Sequence, residues 1–153
     1  MADLRALFSD IVRFETELWN AVDDRLRTQV ELPLSWFEPM LIVDELAGCR
    51  VYDIAEALSI TVGGTSKLVD RIEAAGLCRR RPNPEDRRSS LITLTAAGRK
   101  RLAAATAEFD DEVARRFVDL PASTLDRFHA VLRRLRSTSR TLDQPNDQEA
   151  AHA

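Results

Sequence analysis

Several residue types that build enzyme and metal sites are scarce in this 153-residue chain. Its two cysteines, Cys49 and Cys78, are too few for a disulfide framework and lack metal-site spacing. Its two histidines, His129 and His152, supply no nucleophile–base pair, and its five glycines form no phosphate-binding loop. We therefore expect no enzyme activity, cofactor or metal. The cysteines are interpreted as small buried hydrophobes, with a redox switch as the alternative.

Long apolar runs are also missing. No stretch approaches the roughly 20 apolar residues of a membrane-spanning helix. The opening residues, MADLRALFSD, lack the apolar region of a signal peptide. The composition, 44% hydrophobic and 31% charged, is typical of a globular domain. The cytoplasm is the expected location.

The net charge of −3 conceals a segregated pattern. Residues 1–60 carry 5 basic and 12 acidic side chains, whereas residues 61–101 carry 10 basic and 4 acidic ones. Residues 102–153 carry 7 basic and 9 acidic side chains. A basic middle is typical of a module that binds an anion such as nucleic acid, although a solvated surface would give the same counts.

Apolar periodicity predicts three helices in the first 60 residues. A long amphipathic helix covers roughly the first 28 residues. Ser35 and Glu38 have the arrangement of a capping box for a second helix, which would place Pro39 in its first turn and end at Gly48. The third helix is the segment VYDIAEAL.

A fourth helix is predicted from its N-cap, Thr61, to Gly76, which closes it in a Schellman motif. Its inward stripe is Thr65, Leu68, Val69 and Ile72. With the third helix and the short "SIT" turn it forms a helix-turn-helix, although many helical hairpins look similar. The segments LCRRR and SLITLT read as two strands around a polar loop. A strand–loop–strand in this place is a wing.

Two more helices follow the wing. Thr95 is the predicted N-cap of the fifth helix, in which Gly98 is a tolerated break in helix propensity, and Pro121 separates it from the sixth. The tail, residues 143–153, is predicted to be disordered. The apolar faces of the first, fifth and sixth helices exceed what a small winged core can cover. A two-fold homodimer would cover them, with two half-sites about one turn of duplex DNA apart.

The segment LVDRIEAAGLCRRRPNPEDRRSSLITLTAAGRKRL resembles the helix–wing–helix signature of the multiple-antibiotic-resistance regulator (MarR) family. In element order the resemblance covers roughly residues 4–140. It implies a mainly α fold with a small antiparallel β-wing. One domain, residues 1–142, would hold a winged helix-turn-helix at about 34–95 and dimerisation helices at about 3–28 and 96–142. The implied function is a homodimeric, sequence-specific DNA-binding transcriptional regulator, a repressor relieved by a small aromatic or phenolic effector.

The resemblance and the outward helix face together predict a DNA interface. The family's Asp-x-Arg pattern falls on Asp86 and Arg88; in the family the arginine enters the minor groove and the aspartate helps to orient it. Strand alternation sends Arg80 away from the face of its neighbours, whereas the alternative pairs one of these arginines with Glu85 or Asp86. The predicted DNA-binding residues are Thr61, Gly63, Gly64, Ser66, Lys67, Arg71, Arg79, Arg81, Asp86, Arg87 and Arg88.

The pair Gly63–Gly64 departs from the family, which usually presents polar side chains there. Either the backbone approaches DNA closely, or the helix frays until DNA is bound. Because the glycines remove base-reading groups, an alternative function is a dimeric ligand-binding or protein-interaction module with only non-specific DNA affinity.

Two further groups of residues have open interpretations. Phe14, Trp19, Trp36 and Phe37 are candidates for an effector pocket, although such a cluster also suits a plain core. Residues 99–101 are basic and begin a helix, where positive charge opposes the macrodipole, so they either face phosphate or lie on a solvated surface.

Overall fold

Six helices and one β-hairpin follow one another in the residues that this computed structural model describes, 3–86 and 88–142. The helices are α1 (Leu4–Val30), α2 (Leu34–Glu45), α3 (Val51–Leu58), α4 (Val62–Ala74), α5 (Ala96–Arg116) and α6 (Ala122–Leu142). The strands are β1 (Cys78–Pro82) and β2 (Ser90–Leu94). The predicted mainly α fold with a small antiparallel wing is confirmed. The predicted disordered tail lies outside the described residues.

The chain divides into two units, one up to Arg116 and one from Phe117. This boundary falls within the segment predicted as dimerisation helices, between α5 and α6. The proposed single domain over residues 1–142 stays a prediction.

Helix α2 is the centre of the first unit, in contact with α1, α3, α4, α5 and β2. It is buried on several sides, and its Phe37 ring stacks on Phe109 of α5 with centroids 5.0 Å apart. Such a helix carries little amphipathic pattern because neighbouring elements contact it on several sides. The buried core consists of Val22, Leu26, Leu32, Leu34, Phe37, Met40, Val43, Cys49, Ile54, Val69, Ile72, Leu77, Cys78, Ile92, Leu94, Leu102 and Ala105.

The predicted capping box at the start of α2 is wrong. The helix begins at Leu34, and the Leu34 N–H is instead accepted by Asp23 Oδ1 of α1 at 2.8 Å. Pro39 is the sixth residue of the helix and lies beyond its first turn. A cap supplied from an earlier helix leaves no short-range spacing signal. The local spacing of residues therefore predicted Ser35 and Glu38 instead.

The helix-turn-helix has the predicted ends. Thr61 Oγ1 accepts the Gly64 N–H at 3.1 Å, as expected of an N-cap. At the other end Gly76 has a φ of 75°, and the Leu77 N–H donates to Ile72 O at 3.1 Å, which makes the predicted Schellman closure. The predicted inward stripe lies on the core side, with Leu68 half-buried and Thr65, Val69 and Ile72 buried.

The wing is an antiparallel hairpin in which Cys78 pairs with Leu94 and Arg80 with Ile92. The Ile92 N–H also donates to Cys49 O at 2.7 Å, which joins the segment before α3 to the hairpin. Cys49 and Cys78 are both buried and free. Burial raises the pKa of each thiol to about 11, so the reactive thiolate is disfavoured at neutral pH. The interpretation as small core hydrophobes is the one that the structure supports.

The start of α5 is packed against the end of α4. Thr95 Oγ1 accepts the Gly98 N–H at 2.9 Å, so Thr95 is the N-cap of α5, as predicted. A β-carbon at Gly98 would overlap the carbonyl oxygen of Leu77. Gly98 is therefore required by this close approach, and the expectation that it is merely tolerated is wrong.

The N-terminal part of α1 and the described side chains of α6 are largely exposed. Leu4 and Phe8 of α1 are 73% and 69% exposed, and Val131 and Leu135 of α6 are 55% and 52% exposed. Both helices thus present large apolar side chains to solvent. Within the described residues, no helix combines the length and apolar character needed to span a membrane.

We expect Gly98→Ala to lower the free energy of unfolding by about 1–3 kcal/mol, because the added methyl group collides with backbone that cannot rotate away. Glycine-to-alanine changes inside helices normally stabilise by about 1 kcal/mol, so a loss isolates the contact with Leu77. Guanidinium chloride unfolding measures the change. Gly63→Ala is the matched control, because a β-carbon there meets nothing within 4 Å. Unchanged stability of Gly98→Ala would show that α5 can withdraw from Leu77 freely.

Candidate nucleic-acid interface

The exposed side of α4 holds most of the residues predicted to read DNA. Thr61, Gly63, Gly64, Lys67 and Arg71 are exposed, and Ser66 is half-buried. Because the opposite side of the helix packs on the core, this face is held towards solvent. The amino end of a helix also carries partial positive charge from its backbone N–H groups, which favours a nearby phosphate.

Gly63 and Gly64 lie in the first turn of α4, so the surface there is largely backbone. A β-carbon at Gly63 would enter open space. At Gly64 it would meet the capping hydroxyl, Thr61 Oγ1, at 3.0 Å. The two positions therefore differ: Gly63 is free of internal constraint, whereas Gly64 lies close to the group that caps the helix.

The arginines of β1 alternate as predicted. Arg79 and Arg81 are exposed, whereas Arg80 is half-buried and lies on the other face. Arg80 Nη1 approaches Asp70 Oδ1 at 2.6 Å and Glu73 Oε2 at 2.9 Å, so its partners belong to α4 and not to the wing tip. The alternative that paired an arginine of this run with Glu85 or Asp86 is not the arrangement that Arg80 adopts.

The tip of the wing is organised by hydrogen bonds to its own backbone. Asp86 Oδ1 accepts the N–H of Arg88 at 2.9 Å, and the Asp86 carbonyl accepts the N–H of Ser89 at 3.0 Å. Asn83, which is buried, donates from Nδ2 to Ser89 Oγ at 2.9 Å. Asp86 thus contacts the backbone of Arg88 and stabilises the turn, while the side chain of Arg88 is exposed. Arg87 lies outside the described residues.

The role of Asn83 in the wing loop was not predicted from the sequence. The only available signal was its place between two prolines at the start of the loop, since asparagine commonly bonds the backbone of tight turns. Its Oδ1 accepts the Glu85 N–H at 3.0 Å, so one side chain ties both sides of the loop.

The four aromatic candidates for an effector pocket lie in different surroundings. Phe37 is 2% exposed and belongs to the core, and Trp36 is half-buried against that core. Phe14 and Trp19 are exposed on α1. The plain-core interpretation therefore holds for Phe37, and the pocket stays a prediction for the others.

The basic run at residues 99–101 has structural partners. Arg99 Nη1 donates to Leu94 O at 2.9 Å, and Arg101 Nη1 donates to Val30 O at 2.7 Å at the carboxyl end of α1. These contacts join α5 to β2 and α1. Lys100 is exposed beside an open cleft of about 540 Å³, between the end of α1 and the start of α5.

Three features define a winged helix-turn-helix protein. The amino end of α4 is exposed, a short turn joins α3 to α4, and an arginine-bearing hairpin follows α4. The family model for the MarR family matches residues 32–90, which contain α2 to α4, β1 and the wing loop.

Known proteins show the same relationship. The chain is 28% identical over 98 residues to the multiple antibiotic resistance protein MarR of Escherichia coli, covering 60% of this chain and 68% of that one. It is 28% identical over 72 residues to YfiV of Bacillus subtilis, an uncharacterized HTH-type transcriptional regulator, covering 47% of this chain but only 45% of YfiV. The match thus spans less than half the length of this relative.

A solved structure extends the likeness to most of the chain. CouR from Rhodococcus jostii RHA1, bound to p-coumaroyl-CoA, has a TM-score of 0.75 at 25% identity, covering 87% of this chain and 91% of CouR. A structure of the transcriptional repressor CouR on a 23-mer DNA duplex matches with the same TM-score at 27% identity, covering 91% and 96% of the two chains.

Residues 32–90 in sequence, and most of the chain in structure, are similar to the MarR family of winged helix-turn-helix transcriptional regulators. The resemblance noted in the sequence is thereby confirmed. Proteins of the MarR family are transcriptional regulators and not enzymes, in agreement with the expectation for this chain.

We expect Gly63→Ala to stabilise the free protein by up to about 1 kcal/mol and to weaken duplex binding, because the methyl group helps the helix but stands where DNA backbone would approach. Chemical unfolding and fluorescence anisotropy measure the two effects. Gly64→Ala is the control for stability, since its methyl group must displace the capping Thr61 hydroxyl and should stabilise less. Equal or tighter binding by Gly63→Ala would mean that the bare backbone has no role at the interface.

Proposed function

We propose that the protein is a homodimeric, sequence-specific DNA-binding repressor that acts in the cytoplasm and is released from its operator by a small aromatic or phenolic effector. Helix α4 would enter the major groove, and the wing would reach the flanking minor groove. The proposed contacts are those predicted from the sequence: the outward face of α4, Arg79 and Arg81 on β1, and Asp86 and Arg88 at the wing tip. Arg87 belongs to the same proposal.

The observation that carries this proposal is the placement of α4 and the wing in one unit with their cationic groups exposed. Lys67 and Arg71 are exposed on the helix, and Arg79, Arg81 and Arg88 are exposed on the wing. These charges come from the basic central third of an otherwise acidic chain. Duplex DNA is a polyanion long enough to contact a helix and a hairpin together. The acidic remainder of the chain would repel it, which favours contact at the basic segment.

Exposed apolar side chains support the dimer. Leu4, Phe8 and Ile11 recur at helical spacing on α1, and Phe128, Val131 and Leu135 do so on α6. Each buried large aliphatic or aromatic side chain contributes roughly 1.5–3 kcal/mol, so stripes of this length favour association. A two-fold dimer would bring two copies of α4 to successive turns of one face of DNA.

The proposal of an effector rests on the similarity to the MarR family and to CouR, which is bound to p-coumaroyl-CoA in its structure. Phe14, Trp19 and Trp36 are the aromatic residues proposed to meet it. Phe37 is buried in the core, where its ring stacks on Phe109, and it is the least exposed of the four candidates.

Selection of bound sites from random duplexes, with the purified protein, tests the central proposal. We expect a pseudo-palindrome whose half-sites lie about 10 base pairs apart, because a two-fold dimer presents its two α4 helices one DNA turn apart. Light scattering of the same sample should give twice the mass of the chain. Salt-dependent binding with no enriched sequence would favour the alternative, a ligand-binding or protein-interaction module with only non-specific DNA affinity.

The wing mechanism makes a prediction in which charge and turn geometry have opposite effects. Arg88→Ala should weaken binding to a selected site by about 1–3 kcal/mol and flatten the preference at outer A·T-rich positions, where a guanidinium meets a narrow minor groove. Asp86→Ala should also weaken binding, because it removes the acceptor of the Arg88 N–H. Titration with labelled duplexes measures each variant.

Asp86→Asn is the matched control for Asp86→Ala. It removes the same negative charge but keeps an oxygen that can accept the Arg88 N–H. We expect it to bind at least as tightly as the unsubstituted protein. If both Asp86 variants bind more tightly, the wing is only a cationic loop and its turn geometry is irrelevant.

A further inference from the structure

The side chain of Arg80 leaves the wing and spans the surface of α4. Nη1 contacts the carboxylates of Asp70 and Glu73 at 2.6 and 2.9 Å, and Nη2 donates to the carbonyl and hydroxyl oxygens of Ser66 at 3.3 and 3.4 Å. The backbone N–H of Arg80 donates to the second Glu73 oxygen, Oε1, at 2.7 Å. We call these four residues the Arg80 cluster.

The cluster follows one stripe of α4. Ser66, Asp70 and Glu73 are separated by four and three residues, so they lie one above another on the helix surface. A planar guanidinium with five donors can meet such a row at once, whereas a lysine ammonium is a single point charge. The contacts thus fix α4 to β1 at three successive turns.

Arg80 is poorly placed to be a phosphate contact. Its side chain is 24% exposed, and its charge already faces two carboxylates. Arg79 and Arg81 point to the opposite face of the strand and are exposed. Of the three consecutive arginines, the middle one therefore makes its contacts within the protein.

Asp70 creates an electrostatic problem at the proposed interface. Its side chain is 59% exposed, three residues after Lys67 and four after Ser66, both predicted DNA contacts. An unpaired carboxylate on this face would repel the phosphates that Lys67 and Arg71 attract. The Asp70 contact with Arg80 at 2.6 Å places a compensating charge beside it.

We propose that Arg80 is a positioning residue for DNA binding, which acts by neutralising Asp70 and Glu73 on the recognition helix and not by contacting DNA. This inference rests on the proposed DNA-binding function. It predicts that the contribution of Arg80 to affinity depends on the presence of the two carboxylates.

A mutant cycle tests the dependence. Arg80→Ala is made in the full chain and in a chain carrying Asp70→Asn and Glu73→Gln, and binding to one selected duplex is titrated over a range of salt concentrations. We expect Arg80→Ala to weaken binding about tenfold in the natural background and about twofold or less without the carboxylates. The salt slope of Arg80→Ala should stay close to that of the unsubstituted protein, because no phosphate contact is lost.

Arg81→Ala is the matched control from the same strand. It should weaken binding equally in both backgrounds and reduce the salt slope by about one, as expected of a phosphate contact. Arg80→Lys, which keeps the charge, should stay within about threefold of the unsubstituted protein. Circular dichroism confirms that each variant is folded.

A second variant keeps the inference testable if Arg80→Ala does not fold. The variant Asp70→Asn/Glu73→Gln should then bind several-fold more tightly than the natural chain, because two carboxylates that repel phosphate have been removed from α4. Unchanged affinity of this variant would overturn the inference.

The remaining outcomes separate the inference from the proposed function. An equal loss on Arg80→Ala in both backgrounds, or a drop of one in its salt slope, would also overturn the inference and leave DNA binding intact. Failure of the unsubstituted protein to bind any duplex would overturn the proposed function, and the inference with it.

Discussion

The hydroxyl group of Thr95 joins α4, the wing and α5 at one point. It donates to Gly76 O at 2.7 Å, where α4 ends, and accepts the Gly98 N–H at 2.9 Å, where α5 begins. The Thr95 N–H donates to Leu77 O at 3.0 Å, the carbonyl against which Gly98 packs. The positions of α4 and the wing relative to α5 depend on this junction, because the Leu77 carbonyl leaves no space for a β-carbon at position 98.

From this junction outwards, polar contacts between α4 and the hairpin hold the proposed interface in shape. Arg80 spans α4 on one side, and Asn83, Asp86 and Ser89 close the loop at the far end. These side chains make hydrogen bonds and ion pairs within the protein that hold α4 and the wing in place. Interfaces are built from preorganised groups for a physical reason: ordering them at the moment of binding would subtract from affinity.

The proposed interface is rich in charge and poor in base-reading side chains. Gly63 and Gly64 leave backbone at the amino end of α4, and Ser66 is engaged with Arg80. Exposed arginines on the wing remain. A regulator with this distribution is expected to obtain much of its specificity from groove shape and deformability, with correspondingly less from direct hydrogen bonds to bases.

The sequence by itself determined the elements whose signals are local. Thr61 and Gly76 marked the ends of α4, and strand alternation put Arg80 on the face opposite its neighbours, because caps and periodicities depend on residues a few positions apart. Tertiary structure alone decided the rest. The cap of α2 comes from Asp23, Gly98 is required by a carbonyl 21 residues earlier, and Arg80 pairs with α4. Each of these contacts joins residues that come close together only when distant segments of the chain pack, so no local spacing in the sequence predicts it.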